Sequence, residues 1–169
     1  MKIKPVKVRS IEIKGFAFSW VEKEGRVLRS CFCPLQNLKE EFPFAEEEKG
    51  GEIYEILKLY AQGIKVALEE VPVVLEGSEF QRRVWKWLRG VKFGEVVTYG
   101  EIAAALGTSP RAVGRALASN SIPLFVPCHR VIGRGSLGGF TPDVKIKRML
   151  LTLEGGYHDK NGTLEGCAP

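Results

Sequence analysis

The chain has 169 residues, 44% of them hydrophobic and 27% charged, with a net charge of +5. That balance belongs to a globular fold of one domain or two small ones. No apolar run approaches the ~20 residues of a helix that crosses a bilayer, and the N-terminus shows no apolar core of a signal peptide, so a cytoplasmic location is expected.

The charge is unevenly placed. Residues 1–77 carry 12 basic against 13 acidic side chains, whereas residues 78–169 carry 13 against 7. A near-neutral half therefore precedes a basic half suited to a polyanion such as nucleic acid.

In chain order, residues 6–32 alternate apolar and polar positions through Val6, Val8, Ile11, Ile13, Phe16, Phe18 and Trp20, with Gly15 and Gly25 as turns. This predicts a three-stranded antiparallel meander. Residues 34–51 read as a loop with one short helix, and the acidic run Glu46–Glu48 as a solvated surface. Ile53, Ile56, Leu57, Tyr60, Ile64, Ala67 and Leu68 fall at helical spacing, so an amphipathic helix is expected over 52–69, weakened by Gly63. Pro72 and Gly77 bound a linker. Nothing in residues 1–77 suggests chemistry, and this part reads as a support domain.

The cysteines are Cys31, Cys33, Cys128 and Cys167, and the only histidines are His129 and His158. The one-residue spacer between Cys31 and Cys33 is too short for a zinc pattern, so no metal is expected, nor any cofactor. Alternate residues of a strand face the same way, which leaves a Cys31–Cys33 disulfide open. Free thiols are the default for a cytosolic chain.

The second domain is expected over 78–169 and mostly helical. Ser78 with Gln81 forms a capping-box pattern, opening a helix with Phe80, Val84, Trp87 and Leu88 on one face and Arg82, Arg83, Lys86 and Arg89 on the other. Thr98 with Glu101 repeats the pattern at the start of a helix over 99–106. Gly107 and Thr108 turn the chain, Ser109 caps, and Pro110 takes the first helical position, where its missing N–H costs nothing. This is a helix-turn-helix. Its second helix, 111–119, carries Ala112, Gly114, Ala116 and Ala118, so one side is nearly bare. Close packing explains that, and so does close approach to a DNA backbone; a major-groove reader would instead aim Asn, Gln or Arg at base edges. Residues 122–132 should be extended, the glycines at 133, 135, 138 and 139 mark a loop, and 142–153 form the last helix, with Val144, Met149, Leu150 and Leu153 as its apolar side. The tail 157–169 shows no pattern.

The run Val126-Pro127-Cys128-His129-Arg130-Val131 joins a thiol to an imidazole. A Cys of ordinary pKa, ~8.5, is mostly the weaker nucleophile at neutral pH, and an imidazole within reach can take its proton. Pro-Cys-His-Arg-Val, with Thr98–Ala103, Ser109–Leu117 and Asn120 before it and Gly138-Gly139-Phe140 and Leu153-Glu154-Gly155 after it, resembles the O6-alkylguanine-DNA alkyltransferases over about residues 80–155. The resemblance implies an α+β protein: a small N-terminal antiparallel three-stranded sheet with a helix, then a mostly helical domain with a helix-turn-helix. It implies DNA repair by stoichiometric, irreversible transfer of an alkyl group from O6-alkylguanine in duplex DNA to Cys128, after the nucleotide is rotated out of the stack. O4-alkylthymine as a second substrate is left open. The partner would be double-stranded DNA containing the lesion, bound in the minor groove without sequence preference, and the protein a monomer. Some members from hot environments carry a bridge like Cys31–Cys33.

By the same resemblance His129 is the general base, directly or through one water, and Glu154 orients it. Tyr99 meets the charge that builds on the guanine through ring N3. Arg111 fills the hole left by the rotated nucleotide or, more plainly, binds phosphate. Ala112, Gly114, Arg115, Ser119 and Asn120 complete the DNA-binding set, Asn120 also tying the helix-turn-helix to the active-site turn. Tyr99, Asn120, Val131, Phe140 and Thr141 line the substrate pocket, with main-chain carbonyls of Cys128 and Val131 accepting from the exocyclic amine and an N–H near Thr141 approaching O6. Two rivals stand beside this. Alkyltransferase-like proteins bind lesions without chemistry, commonly with Trp in place of the nucleophile, and Cys128 argues against that. A Cys-His hydrolase would leave the arginine-bearing helix without a purpose.

Overall fold

Residues 2–140 and 143–156 are described by the computed structural model. They divide into two units. One runs from the N-terminus to Leu75 and takes in Ser121–Phe125; the other holds Glu76–Asn120 and the chain from Val126 onward. The five residues Ser121–Phe125 are thus claimed by the first unit, although 45 residues of the second precede them in sequence.

The first unit is built on β1 (Lys7–Ile13), β2 (Phe16–Lys23) and β3 (Arg26–Cys31), an antiparallel meander. The two turns place Lys14 and Gly15, and Glu24 and Gly25, all at positive φ, the geometry of two-residue hairpin loops that match strand twist. A fourth strand, β4 (Glu46–Glu47), lies in the segment read as loop and solvated surface, and pairs parallel with β1, giving the order β3-β2-β1-β4. Val8 and Val21 face each other across β1 and β2 and pack with Leu38 of α1 (Leu35–Glu41). The opposite face carries Phe18 and Trp20, with Phe32 and Phe125 against Phe18. Arg9, 5% exposed, reaches Glu48 at 2.7 Å, Glu22 at 3.6 Å and the carbonyl of Gly50.

The helix expected over 52–69 is shorter. α2 (Glu52–Ala61) stops early, Gly63 stands at φ +77°, Ile64 is exposed, and one 3-10 turn follows at Leu68–Glu70. The left-handed residue ends the helix before its apolar spacing runs out. Cys31 and Cys33, whose pairing the sequence leaves open, form a disulfide with Cα atoms 5.2 Å apart, inside the span a bridge needs.

The second unit begins with α3 (Glu79–Leu88) under a complete Ser78–Gln81 capping box. Its buried face is Val84, Trp85 and Leu88, not the face through Trp87 expected from spacing. Trp85 is buried because its indole N–H donates to the carbonyl of Ala116, 2.8 Å away; a Trp whose polar edge finds a partner goes inside. The helix-turn-helix follows as β5 (Val97–Thr98), α4 (Tyr99–Leu106) under the Thr98–Glu101 box, Gly107 at φ +64°, and α5 (Pro110–Ala118) capped by Ser109. The stretch expected to be extended over 122–132 is instead irregular. Leu124 stands at φ +77°, a 3-10 turn spans Cys128–Arg130, and only β6 (Val131–Ile132) is strand, paired parallel with β5. The last helix, α6 (Val144–Glu154), starts under Asp143; Val144, expected on its apolar side, is 40% exposed. The residues 157–169 lie outside the described part of the chain. Among the described residues no helix is long and apolar enough to cross a membrane.

Candidate active site

The parallel pairing Val97↔Val131 and Thr98↔Ile132 brings two turns together. Tyr99 follows β5 directly, and Cys128–Arg130 precedes β6 directly. A cavity of about 160 Å³ opens there, lined by Tyr99, Gly114, Leu117, Ala118, Cys128, Gly139 and Phe140. Cys128 is partly exposed and is the one free cysteine among the described residues. α5 borders the cavity at Gly114, where an added Cβ would meet the Tyr99 ring at an ordinary contact distance of 4.0 Å. Gly138, at φ +75°, lies so close to the Tyr99 hydroxyl that an added Cβ would stand 3.0 Å from it.

Asn120, just past the end of α5, donates its amide to the carbonyl of Val126 at 3.1 Å and to Cys128 Sγ at 3.2 Å. The next residue, His129, is fully buried, as is the Glu154 side chain, and Nε2 of the imidazole lies 2.7 Å from Oε1 of the carboxylate. Arg130, also fully buried, grips the same carboxylate with two prongs, Nε to Oε2 at 2.9 Å and Nη2 to Oε1 at 3.0 Å, and donates Nη1 to the carbonyl of Val91 at 2.7 Å. Burial alone would raise the Glu154 carboxyl; His129 and Arg130 together overturn that and hold it well below the usual carboxylate range. An ionised Glu154 only accepts, so the His129 proton sits on Nε2. Nδ1 is then a bare lone pair. It is buried and bonds to no protein atom, the Cys128 sulfur included.

Burial lowers the His129 pKa, with Glu154 pulling the other way, so the resting ring is neutral. Burial pushes the Cys128 thiol up; the Asn120 amide and the Lys147 charge oppose it. Burial, then the Cys128 sulfur, also push the Tyr99 phenol up, which keeps it protonated. The arrangement is therefore a thiol at rest, an imidazole able to take a proton, and a phenol able to give one.

Lys147 was not foreseen. It is fully buried on α6, donates Nζ to the carbonyls of Val131 at 2.5 Å and Gly139 at 3.0 Å, and lies 6.0 Å from the centre of the Tyr99 ring. Burial brings its pKa down to about 8. The sequence carried one signal for it: Lys147, Leu150 and Glu154 fall at helical spacing on the stripe that turns inward. Arg130, which the motif contains without a role, holds the carboxylate, and Leu117 and Ala118 line the cavity.

The other expected site residues lie as follows. Val131 is buried, and its carbonyl, expected to receive an exocyclic amine, already accepts from Lys147. The Cys128 carbonyl accepts from the Val131 N–H; each carbonyl keeps a second lone pair. Arg111 is exposed and is not in the lining of the Cys128 cavity; it lines a second depression with Thr98, Tyr99, Glu101, Ala104 and Arg134, and Tyr99 is common to both. Ala112 is half-buried, Arg115 and Ser119 are exposed, and the Ser119 hydroxyl donates to the Arg115 carbonyl at 3.1 Å. Thr141 lies outside the described residues.

Comparison with known proteins bears on this constellation. Residues 79–156 match the family described as 6-O-methylguanine DNA methyltransferase, DNA binding domain. A methylated-DNA–protein-cysteine methyltransferase of Metallosphaera sedula is 43% identical over 129 residues, 76% of this chain and 79% of that one. The crystal structure of the Mycobacterium tuberculosis O6-methylguanine methyltransferase superposes with a TM-score of 0.76 at 31% identity, covering 89% of this chain and 93% of the other. A second structure of the M. tuberculosis protein, in complex with DNA, gives a TM-score of 0.74, covering 88% and 93%.

Proposed function

The chain belongs to the methylated-DNA–protein-cysteine methyltransferase family, which repairs DNA by alkyl transfer, and from that premise we propose that Cys128 takes one alkyl group from O6-alkylguanine, permanently. The observation that carries this is the lone pair of His129 Nδ1, buried and unbonded beside a Cys128 that lines an open cavity. The electrophile is a saturated carbon, for which a thiolate is the suitable nucleophile. The thiol proton passes to Nδ1 through one water, because Nδ1 has no direct bond to sulfur, and Glu154 stabilises the imidazolium through Nε2. Sulfur bonds the alkyl carbon as the C–O6 bond breaks. The electron pair stays on the guanine, and the Tyr99 phenol protonates ring N3. The His129 proton then returns to Tyr99 through solvent, so the sum is thiol plus O6-alkylguanine giving thioether plus guanine. The Asn120 amide holds the sulfur while it is charged.

A thioether resists attack by water, and no second nucleophile adjoins it among the described residues, so each molecule acts once. The lesion must leave the stack to reach Cys128. The protein engages the minor groove as a monomer with the bare side of α5. Ala112, Gly114, Arg115 and Ser119 lie along the backbone, and Arg111 fills the gap in the stack or grips phosphate. Phe140, which lines the cavity, packs against the base. Location in the cytoplasm fits this role.

Mass spectrometry after mixing with a duplex containing O6-methylguanine is the direct test. One added methylene mass on Cys128 is expected, and none in Cys128→Ala. A methyl group found on any other residue overturns the assignment.

A further inference from the structure

The five residues between Asn120 and Val126 are held by the first unit, and this gives that unit a task. We propose that Ser30 and Arg29 of β3 are positioning residues for the nucleophile, acting through the strap Ser121–Phe125. The proposal rests on the reading of Cys128 as the alkyl acceptor.

β3 is the edge strand of its sheet; at its start Val27 pairs with Pro72 and Val74, and at its end the groups of Arg29 and Ser30 turn to the strap. The Ser30 N–H donates to the carbonyl of Ser121 at 3.1 Å, and the Arg29 guanidinium donates to the same carbonyl at 2.9 Å. The fully buried Ser30 hydroxyl donates to the carbonyl of Pro123 at 2.8 Å. Ile122, Leu124 and Phe125 are buried, and Phe125 packs on Phe18 with ring centres 6.0 Å apart. Leu124 stands at φ +77°, which a side chain larger than glycine rarely adopts. Such a conformation lasts only where the surroundings over-determine it, and here the bonds on either side supply that constraint.

Both ends of the strap are parts of the site. Asn120 precedes it, and its amide touches Cys128 Sγ; Val126 follows it, and its carbonyl takes the second proton of the same amide. Displacement at carbon needs sulfur, carbon and oxygen in line, and a misplacement of ~1 Å can cost as much as ~100-fold in rate. Since the chain is continuous, a strap that slackens moves the sulfur and the amide that holds it.

The experiment uses the full chain and a duplex with one O6-methylguanine. Single-turnover transfer is followed at saturating DNA, and affinity for undamaged duplex is measured separately. Ser30→Ala should slow saturated transfer at least about fivefold with affinity for DNA unchanged, and Ser30→Thr, which keeps the hydroxyl, should recover most of the rate. Arg29→Ala should act in the same direction; its side chain is partly exposed, so this variant decides the matter if Ser30→Ala does not fold. Leu38→Ala, on the opposite face of the sheet, should lower the melting temperature and leave saturated transfer as it was. Wild-type rates in Ser30→Ala and Arg29→Ala, or an equal fall in Leu38→Ala, overturn the proposal while methyl still found on Cys128 leaves the reading of the site intact. Methyl found elsewhere overturns both.

Discussion

At the scale of single residues, the buried charges govern the site. Glu154 is shared by a neutral imidazole and a two-pronged guanidinium, all out of water. Removing one partner from a buried ion pair leaves the other uncompensated, typically at 3–5 kcal/mol. Glu154→Gln should therefore lose about that much stability in urea unfolding and, because His129 loses the carboxylate behind it, slow transfer by roughly 10–100-fold. Stability conferred by Glu154 is complete above its unfolded pKa of 4.5 and is lost as pH falls toward its much lower folded value. The variant should therefore flatten the acid side of the stability profile. Lys147 has the opposite sense. Its folded pKa, about 8, lies below its ordinary 10.5, so the unfolded chain binds more protons between these values and stability rises with pH across that window. The difference between wild type and Lys147→Met should grow in favour of wild type from about pH 8 to about pH 10.5; a flat difference would show that the ammonium is not desolvated. Cys128 and His129 stand out in a contiguous motif, whereas Tyr99 and Glu154 enter as candidates only through the family resemblance around it. Lys147 does not stand out, because a lysine on a helix is ordinarily solvated, and only the packing of α6 shows that this one is not.

At the scale of elements, helix starts were legible and helix ends less so. The boxes at Ser78 and Thr98 and the cap at Ser109 appear as expected, since capping is local chemistry between a side chain and N–H groups three residues on. The end of α2 and the irregular course of 122–132 depend on φ at Gly63 and Leu124, which neighbours in space decide. α5 shows a conflict between stability and function. Gly114 costs its helix up to about 1 kcal/mol against alanine, and an added Cβ has room, its nearest neighbour being the Tyr99 ring at 4.0 Å. Gly114→Ala should raise the melting temperature while weakening binding to damaged duplex, since the new methyl enters the cavity that Cys128 lines. Unchanged DNA affinity in calorimetry would remove Gly114 from the interface.

At the scale of the whole molecule, the reaction product is itself a test. The sulfur sits 3.2 Å from the Asn120 amide, and an alkyl group added to it crowds that closely packed side of the cavity. Such overpacking costs ~1–3 kcal/mol, so protein recovered after reaction with methylated DNA should melt several degrees below the unreacted form. A higher melting temperature would show that the cavity accepts the methyl without strain.

The amino-acid sequence by itself determined the order of elements, their caps, the three-stranded meander, the family and the reactive pair, because each is written in short-range patterns or in a contiguous motif. Tertiary structure alone decided which charges are buried, that β4 joins the sheet, that Cys31 and Cys33 are bridged, and that Ser121–Phe125 belongs with the first unit. Those facts follow from which groups meet across long stretches of chain, and burial and hydrogen bonding at such distances leave no periodic trace in the order of residues.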